Sequence, residues 1–295
     1  MLRKVCFQFD QETMDVLRGK MEALLADLAA HGVTVHGLRE SEKQAESAEC
    51  LQTVFECPAC GHKTDEIMYI TDRGKPYDAL RAAGCHVLPC LHEHNREEAF
   101  PGAVYAVEKI EETDFASLDM AYRRLAGLPW EILETERLLV RETTPEDVDS
   151  FYRIYGEPSV TAYMEGLCED RDEEIACIES YIDTVYAFYG YGMWTVIKKD
   201  SGEIIGRAGI SWREGYRMPE LGFVIGVPWQ GQGYALEVCG AILEYARETL
   251  EMKEVQALVR PENGRSVKLC GKLGFAPKGE TEVNGIGYRV FVKEL

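Results

Sequence analysis

The sequence predicts an α/β protein of two domains: a mixed sheet with flanking helices in the C-terminal half, and a smaller α/β domain before it. Three observations carry this reading. Short strand-like apolar runs alternate with segments of helical period along the whole chain. The stretch Gly127-Leu128-Pro129-Trp130 punctuates the middle, which sets the domains at 1–127 and 128–295. All six histidines (His31, His36, His62, His86, His92 and His94) precede that stretch, so the halves differ in the chemistry open to them.

In the first half, Val5–Phe9 reads as a strand and Thr13–Ala30 as a helix. Further strands are expected at Thr34–Leu38, Ile67–Thr71, His86–Leu91 and Ala103–Val107, with helices at Pro76–Ala83 and Phe115–Ala126. Repeated βα units of this size imply a Rossmann-like sheet. In the second half, strand Arg137–Glu142 leads to helix Pro145–Tyr155, with Thr144 as its N-cap and Pro145 in its first turn. Helix Glu173–Phe188 follows, then strands Gly192–Lys198, Glu203–Arg213 and Glu220–Ile225. Helix Tyr234–Leu250, strand Glu254–Arg260 and helix Gly264–Leu273 precede a closing hairpin, Lys278–Glu282 with Gly287–Val292.

At 295 residues, 46% hydrophobic and 28% charged, the chain has the make-up of a globular protein with room for two cores. No apolar run is long enough to span a bilayer, and the opening MLRKVCFQFDQET has no signal-peptide core, so a cytoplasmic location is expected. Ten cysteines spread over such a chain are then expected as reduced thiols. The net charge is −19, with acids exceeding bases by 22 to 14 before residue 128 and by 29 to 18 after it. This argues against nucleic-acid partners and suits a cationic amine, although solubility alone also explains it, and the lack of a spanning run leads to no expected membrane partner. Self-association into a homodimer is left open.

The most informative stretch runs from Val224 to Glu237. An apolar strand enters a short turn containing Gly231 and Gly233, and a helix begins near Tyr234. Free backbone N–H groups and a helix N-terminus in that arrangement hold phosphate. The spacing Gln230-x-x-Gly233-x-Ala235 is neither a dinucleotide fingerprint nor a GxxxxGK[ST] loop. It resembles the acetyl-CoA pyrophosphate loop of the GNAT acetyltransferases. Downstream, Asn263, Ser266, Gly274 and Phe275 match that family's Asn-x-x-Ser helix and its terminal Gly-Phe. Upstream, Leu133 to Tyr155 resembles the opening strand and helix of the branch that acetylates ribosomal-protein N-termini and small amines, and Lys198 to Ile210 resembles its hairpin.

The resemblance implies an acetyl-CoA-dependent N-acetyltransferase acting on a primary amine. It implies that the backbone of Gln230, Gly231, Gln232, Gly233, Tyr234 and Ala235 carries the pyrophosphate. Val224 and Ile225 would pair with the pantetheine amides, and Asn263 and Ser266 would hold the cofactor arm. Attack by an amine needs a proton acceptor, and a domain without histidine turns to carboxylates. Glu220 opens the strand that feeds the loop and stands near the place of the family's glutamate base; solvation is its plainer role. The family's tyrosine acid, four residues after the serine, is Cys270 here; a cysteine can donate the proton, a buried apolar thiol is its commoner role, and Tyr234, Tyr288 or water are the other candidates for the acid. Glu237 lies in the first turn of the long helix, where a carboxylate favours the dipole. The aromatic run Tyr186 to Trp194, with Trp212 and Tyr163, is a candidate wall for a cationic acceptor, or ordinary packing. The alternative is a non-catalytic acyl-CoA sensor with the first half as effector.

The first half resembles a shortened haloacid-dehalogenase domain, through Met21 to Leu38 and Met68 to Val87, with Asp72 at the late acidic place. The opening motif is QFDQE, so Gln8 stands where the nucleophilic aspartate belongs and only Asp10 matches. An amide cannot form an aspartyl-phosphate, which excludes that phosphatase chemistry. Cys57-Pro-Ala-Cys60-Gly-His62 resembles a zinc knuckle, but no second CxxC completes four ligands. His62, Cys85, Cys90, His92 and His94 are the remaining donors, and no metal site is assigned.

Overall fold

The computed structural model describes residues 2–37, apart from Arg18, and 66–295. The chain divides into two compact units, Met1–Leu128 and Pro129–Leu295.

The first unit holds a five-stranded parallel sheet. Its strands are β1 (Lys4–Gln8), β2 (Thr34–His36), β3 (Ile67–Thr71), β4 (His86–Leu91) and β5 (Val107–Glu108), in the order β2-β1-β3-β4-β5. Val5, Phe7, Met68, Ile70 and Leu88 are buried in its core, as a parallel sheet covered by helices requires. The helix expected over Thr13–Ala30 is two helices, α1 (Gln11–Leu17) and α2 (Glu22–Ala30). Gly19 between them is left-handed at φ 78°, and Lys20 N–H closes a turn on the Leu17 carbonyl at 2.9 Å. Helices α3 (Gly74–Ala82) and α4 (Phe115–Leu125) follow. The strand expected at Ala103–Val107 shrinks to a two-residue pairing with Cys90 and Leu91, because Gly102 and the Ala103-to-Phe100 hydrogen bond turn the chain first. The knuckle residues Cys57, Cys60 and His62 lie outside the described residues.

The second unit is built on one eight-stranded sheet, β12-β13-β11-β10-β9-β8-β7-β6. Its strands are β6 (Glu131–Glu134), β7 (Leu138–Arg141), β8 (Met193–Lys198), β9 (Ile204–Ser211), β10 (Glu220–Ile225), β11 (Glu254–Val259), β12 (Ala276–Val283) and β13 (Ile286–Glu294). Helices α5 (Val148–Tyr155), α6 (Pro158–Thr161), α7 (Arg171–Tyr181), α8 (Tyr234–Glu248) and α9 (Gly264–Lys272) complete it. Strand β6 was not anticipated; it is four residues long and pairs antiparallel with β7. The turn before α5 is a 3-10 turn, Pro145–Asp147, locked by a reciprocal cap between Thr144 and Asp147.

The helix expected over Glu173–Phe188 is interrupted by a wide π turn at Ile182–Tyr186 and resumes over Ala187–Tyr189. The wide turn sends both Tyr181 and Tyr186 into the start of β8, their rings edge-to-face at 5.1 Å. Tyr186 Oη donates to the Met193 carbonyl, and Tyr181 Oη accepts from Met193 N–H at 2.9 Å.

Candidate active site

Every neighbouring pair in the larger sheet is antiparallel except β10 with β11. That exception follows from α8, which carries the chain from the end of β10 back to the start of β11. The two parallel strands meet at one register position, Glu220 opposite Gln256. Gln256 reinforces it, taking the Pro219 carbonyl with its N–H at 2.9 Å and the Met218 carbonyl with its side chain at 3.1 Å. Beyond that point the strands part. β10 keeps its ladder with β9 through Ile225, and β11 keeps its ladder with β13 through Val259. The edge of β10 that faces β11 therefore carries no ladder partner from Leu221 to Ile225. Val224 and Ile225 lie on this stretch and bury their side chains.

The glycine turn sits at the far end of the same strand. Gly231 and Gly233 are left-handed at φ 77° and 88°, a backbone that side chains rarely adopt. A Cβ on Gly231 would meet nothing within 4 Å, and one on Gly233 would come within 3.4 Å only of Arg137. Gly233 is the N-cap of α8, whose first turn closes from Glu237 N–H to the Gly233 carbonyl at 3.0 Å. The N–H groups of Tyr234, Ala235 and Leu236 are thus left without an intrahelical acceptor at the positive end of the dipole. Those of Gly231, Gln232 and Gly233 have no partner among the described residues either. Donors converging on a turn free of side chains fit the pyrophosphate of acetyl-CoA.

Side chains hold this turn in shape. Gln230 donates from Nε2 to the Ile225 carbonyl at 2.8 Å and accepts at Oε1 from Arg265 at 2.6 Å, linking the end of β10 to α9. Gln232 Nε2 donates to the Pro228 carbonyl at 2.9 Å. Arg137, immediately before β7, donates to the Gln232 carbonyl at 3.1 Å, lies 4.3 Å above the buried Tyr234 ring and donates from Nε to Glu237 at 2.7 Å. Glu237 also accepts from Thr135 Oγ1 at 2.6 Å and from Arg137 N–H at 3.0 Å. Burial pushes the Glu237 carboxyl up, but these hydrogen bonds and the Arg137 charge prevail and hold it below its ordinary value. Glu237 is therefore a brace that joins β7 to α8. Arg137 and Arg265 were not anticipated; neither belongs to the loop, and only the fold brings them to it.

On α9, the Asn263 side chain caps the helix, accepting from Ser266 N–H at 3.1 Å. Its amide donors and the Ser266 hydroxyl have no partner among the described residues. Cys270, the candidate acid, lies one turn further on in α9. Its side chain is 1% exposed, packed in the core with Cys239 and Phe275, and burial pushes its thiol up to about 11. A thiol enclosed by apolar neighbours cannot deliver a proton to an open cleft.

Glu220 marks the closed end of the cleft. It is 8% exposed, and both its oxygens accept from Arg213, from Nε at 2.6 Å and Nη2 at 3.3 Å. The Glu220 carboxylate first, then the hydroxyls of Tyr288 and Tyr216, raise the Arg213 guanidinium above its ordinary value against the opposing effect of burial. Tyr216 is tied to Thr281 at 2.9 Å. Tyr288, half-buried on β13, thus stands by the Glu220–Arg213 pair, whereas Tyr234 is covered by Arg137.

The aromatic run divides by role. Tyr186 and Trp194 are core residues. Phe188, Tyr189 and Trp212 are 80%, 46% and 45% exposed, and Tyr163 is 37% exposed. The Phe188 and Tyr189 rings stand 4.9 Å apart, those of Tyr189 and Tyr191 stand 5.8 Å apart, and Trp212 Nε1 donates to Tyr191 Oη at 2.5 Å. In the first unit, Cys85, Cys90, His92 and His94 form no metal-binding cluster among the described residues.

Residues 137–276 match the acetyltransferase (GNAT) domain model. The uncharacterized N-acetyltransferase YoaA of Bacillus subtilis is 31% identical over 153 residues, covering 50% of this chain and 84% of that protein. The [ribosomal protein uS5]-alanine N-acetyltransferase of Escherichia coli is 29% identical over 164 residues, covering 52% of this chain and 82% of that one. Among solved structures, the ribosomal-protein-S5-alanine acetyltransferase of Vibrio fischeri aligns with a TM-score of 0.48 at 16% identity, over 55% of this chain and 95% of that one. On the strength of the similarity to YoaA together with the domain match, the chain belongs to the GNAT acetyltransferases, enzymes whose acyl donor is acetyl-CoA.

Proposed function

We propose that the chain transfers an acetyl group to a primary amine, and that the parting of β10 from β11 beyond Glu220 is where donor and acceptor meet. That parting carries the reading, because it leaves a free strand edge leading straight to the donor-rich turn. Acetyl-CoA would supply a thioester carbonyl to be attacked. The N–H groups of Gln230 through Ala235 would hold its pyrophosphate, with Arg265 adding positive charge. The free edge at Val224 and Ile225 would pair with its amides as an added strand does. Asn263 and Ser266 would bond the arm.

Glu220 would accept the amine proton, directly or through a water, with Arg213 orienting its carboxylate. Bonds from Arg213 to both oxygens argue for the water route, since they occupy the lone pairs nearest that guanidinium. With Cys270 in the core, Tyr288 or water would protonate the departing thiolate. The exposed aromatic faces around Trp212, immediately past β9 and next to Arg213, would favour a positively charged acceptor, and the acidic balance of the domain points the same way. A terminal amine of a peptide and a small amine both meet these demands.

For residues 1–127 we propose a Rossmann-like domain, from its parallel sheet and strand order, without phosphatase chemistry. No described helix is long and apolar enough to cross a membrane. The test is thiol release from acetyl-CoA across a panel of peptide N-termini, diamines and neutral-side-chain monoamines. Release with at least one amine is expected. Tight CoA binding with no release from any of them would turn the reading toward a sensor.

A further inference from the structure

We infer that Cys168 and Cys177 form a reversible disulfide that fastens the loop between α6 and α7 to α7. The two Sγ atoms are 3.9 Å apart, in direct contact. Cys177 is exposed and Cys168 half-exposed, so an oxidant in solution reaches the pair. Cys90, Cys239 and Cys270 are instead buried, and burial raises all three thiols.

The loop is already built to deliver Cys168 to that place. Tyr152 Oη donates to the Cys168 carbonyl at 2.7 Å, and Cys168 N–H donates to the buried Glu174 at 3.0 Å, one turn before Cys177 on α7. Cys177 is the more exposed of the two sulfurs and meets an oxidant first, with Cys168 held beside it to resolve the product.

With a peroxide as oxidant the step balances. The Cys177 sulfur attacks one peroxide oxygen, the O–O bond breaks, and water leaves a sulfenic acid on Cys177. The Cys168 sulfur then attacks the Cys177 sulfur, the S–O bond breaks, and a second water departs as the S–S bond forms. A dithiol reverses it by exchange.

The loop's other end matters for the enzyme. Met164, four residues before Cys168, packs on the cluster of Ile154, Val160 and Val224 with Trp229. Val224 is on the free edge of β10, and Trp229 precedes the glycine turn. Tying Cys168 to α7 therefore restrains a segment that packs on β10, one wall of the cofactor cleft, and on the residue that leads into its glycine turn.

The test uses the full chain, oxidised with hydrogen peroxide, alkylated, digested and analysed by mass spectrometry, with peptide hydrogen exchange on the intact protein alongside. The expected result is a linked Cys168–Cys177 peptide pair that dithiothreitol releases, with exchange across 162–170 slowed by about tenfold in the linked form. Cys168→Ser should leave Cys177 as a sulfenic acid trapped by dimedone, and Cys177→Ser should leave Cys168 a thiol. The inference fails if both sulfurs stay reduced while other cysteines oxidise, or if the link forms and exchange across the loop is unchanged. Both serine variants should melt as the wild type does, since each replaces a solvent-reachable sulfur with a similar atom.

Discussion

Gly233 carries two requirements at one position: a left-handed backbone and an absent side chain where an anion approaches. Gly233→Ala should lose about 1–2 kcal/mol of stability from backbone strain alone. Gly233→Glu adds a carboxylate among donors meant for phosphate, and calorimetry should then detect no CoA binding to a protein that still folds. CoA affinity equal to wild type would place the cofactor elsewhere. Glu220 poses a different question, since its carboxylate is already paired. Glu220→Gln keeps the shape and a hydrogen-bond acceptor for Arg213 but cannot take a proton. With the acetyl-CoA affinity retained, kcat/KM should fall by about 10²-fold, the usual scale for a general base. The deficit should narrow at high pH, where the amine is already neutral. Near wild-type rates at neutral pH would leave water or the substrate's own ionisation as the base.

At the scale of elements, the tie between β7 and α8 is one carboxylate with three donor groups around it. Because Glu237 sits below its ordinary value, its contribution is present above the unfolded carboxyl value and lost as pH falls through the folded one. Glu237→Gln should therefore cost about 1–2 kcal/mol at pH 7, a figure kept low because Arg137 is partly solvated, and the two proteins should converge below about pH 4. Denaturant melts at both pH values check this; an equal deficit at both would make the effect one of packing.

The same tie explains what the sequence could and could not reveal. Apolar periodicity placed β3, β4 and β10 at the bounds observed, and the loop spacing pointed to the turn at Gly231–Gly233. Arg137 and Glu237 are 100 residues apart, and nothing local in either neighbourhood names the other. Arg213 and Glu220 are close in sequence, yet only the β9–β10 register sets them side by side. The setting of Cys270 is hidden for a related reason: helical spacing from Ser266 gives a position along α9, but its place in the core depends on residues of other segments. The π turn at Ile182–Tyr186 has no signature in residue type, and the Met193 backbone that Tyr181 and Tyr186 bond lies in the strand beyond it.

Over the whole molecule, the titratable groups of the two units face different tasks. In the first unit the acids at the carboxyl ends of the parallel strands are where such sheets place ligands, but here they are engaged with the backbone. Asp72 is fully buried, accepts from Asp10 N–H at 3.3 Å and lies 3.4 Å from His92 Nε2. Asp10 accepts from Thr13 N–H at 2.8 Å, capping α1, and lies 3.5 Å from Arg73. Burial would raise the Asp10 carboxyl, but the Thr13 bonds, Arg73 and His92 hold it below its ordinary value. Gln8 ends β1 with its carbonyl taken by Thr71 Oγ1 at 3.0 Å, and its amide offers no nucleophile. The full chain should therefore hydrolyse an aryl phosphate no faster than buffer. Asp10→Ala should lower stability by about 1 kcal/mol through the lost cap while leaving that background unmoved. Hydrolysis by the wild type that vanishes in Asp10→Ala, at a temperature where the variant remains folded, would mean that Asp10 acts on phosphate despite the missing aspartate, and that the strand ends of the first unit form a working site.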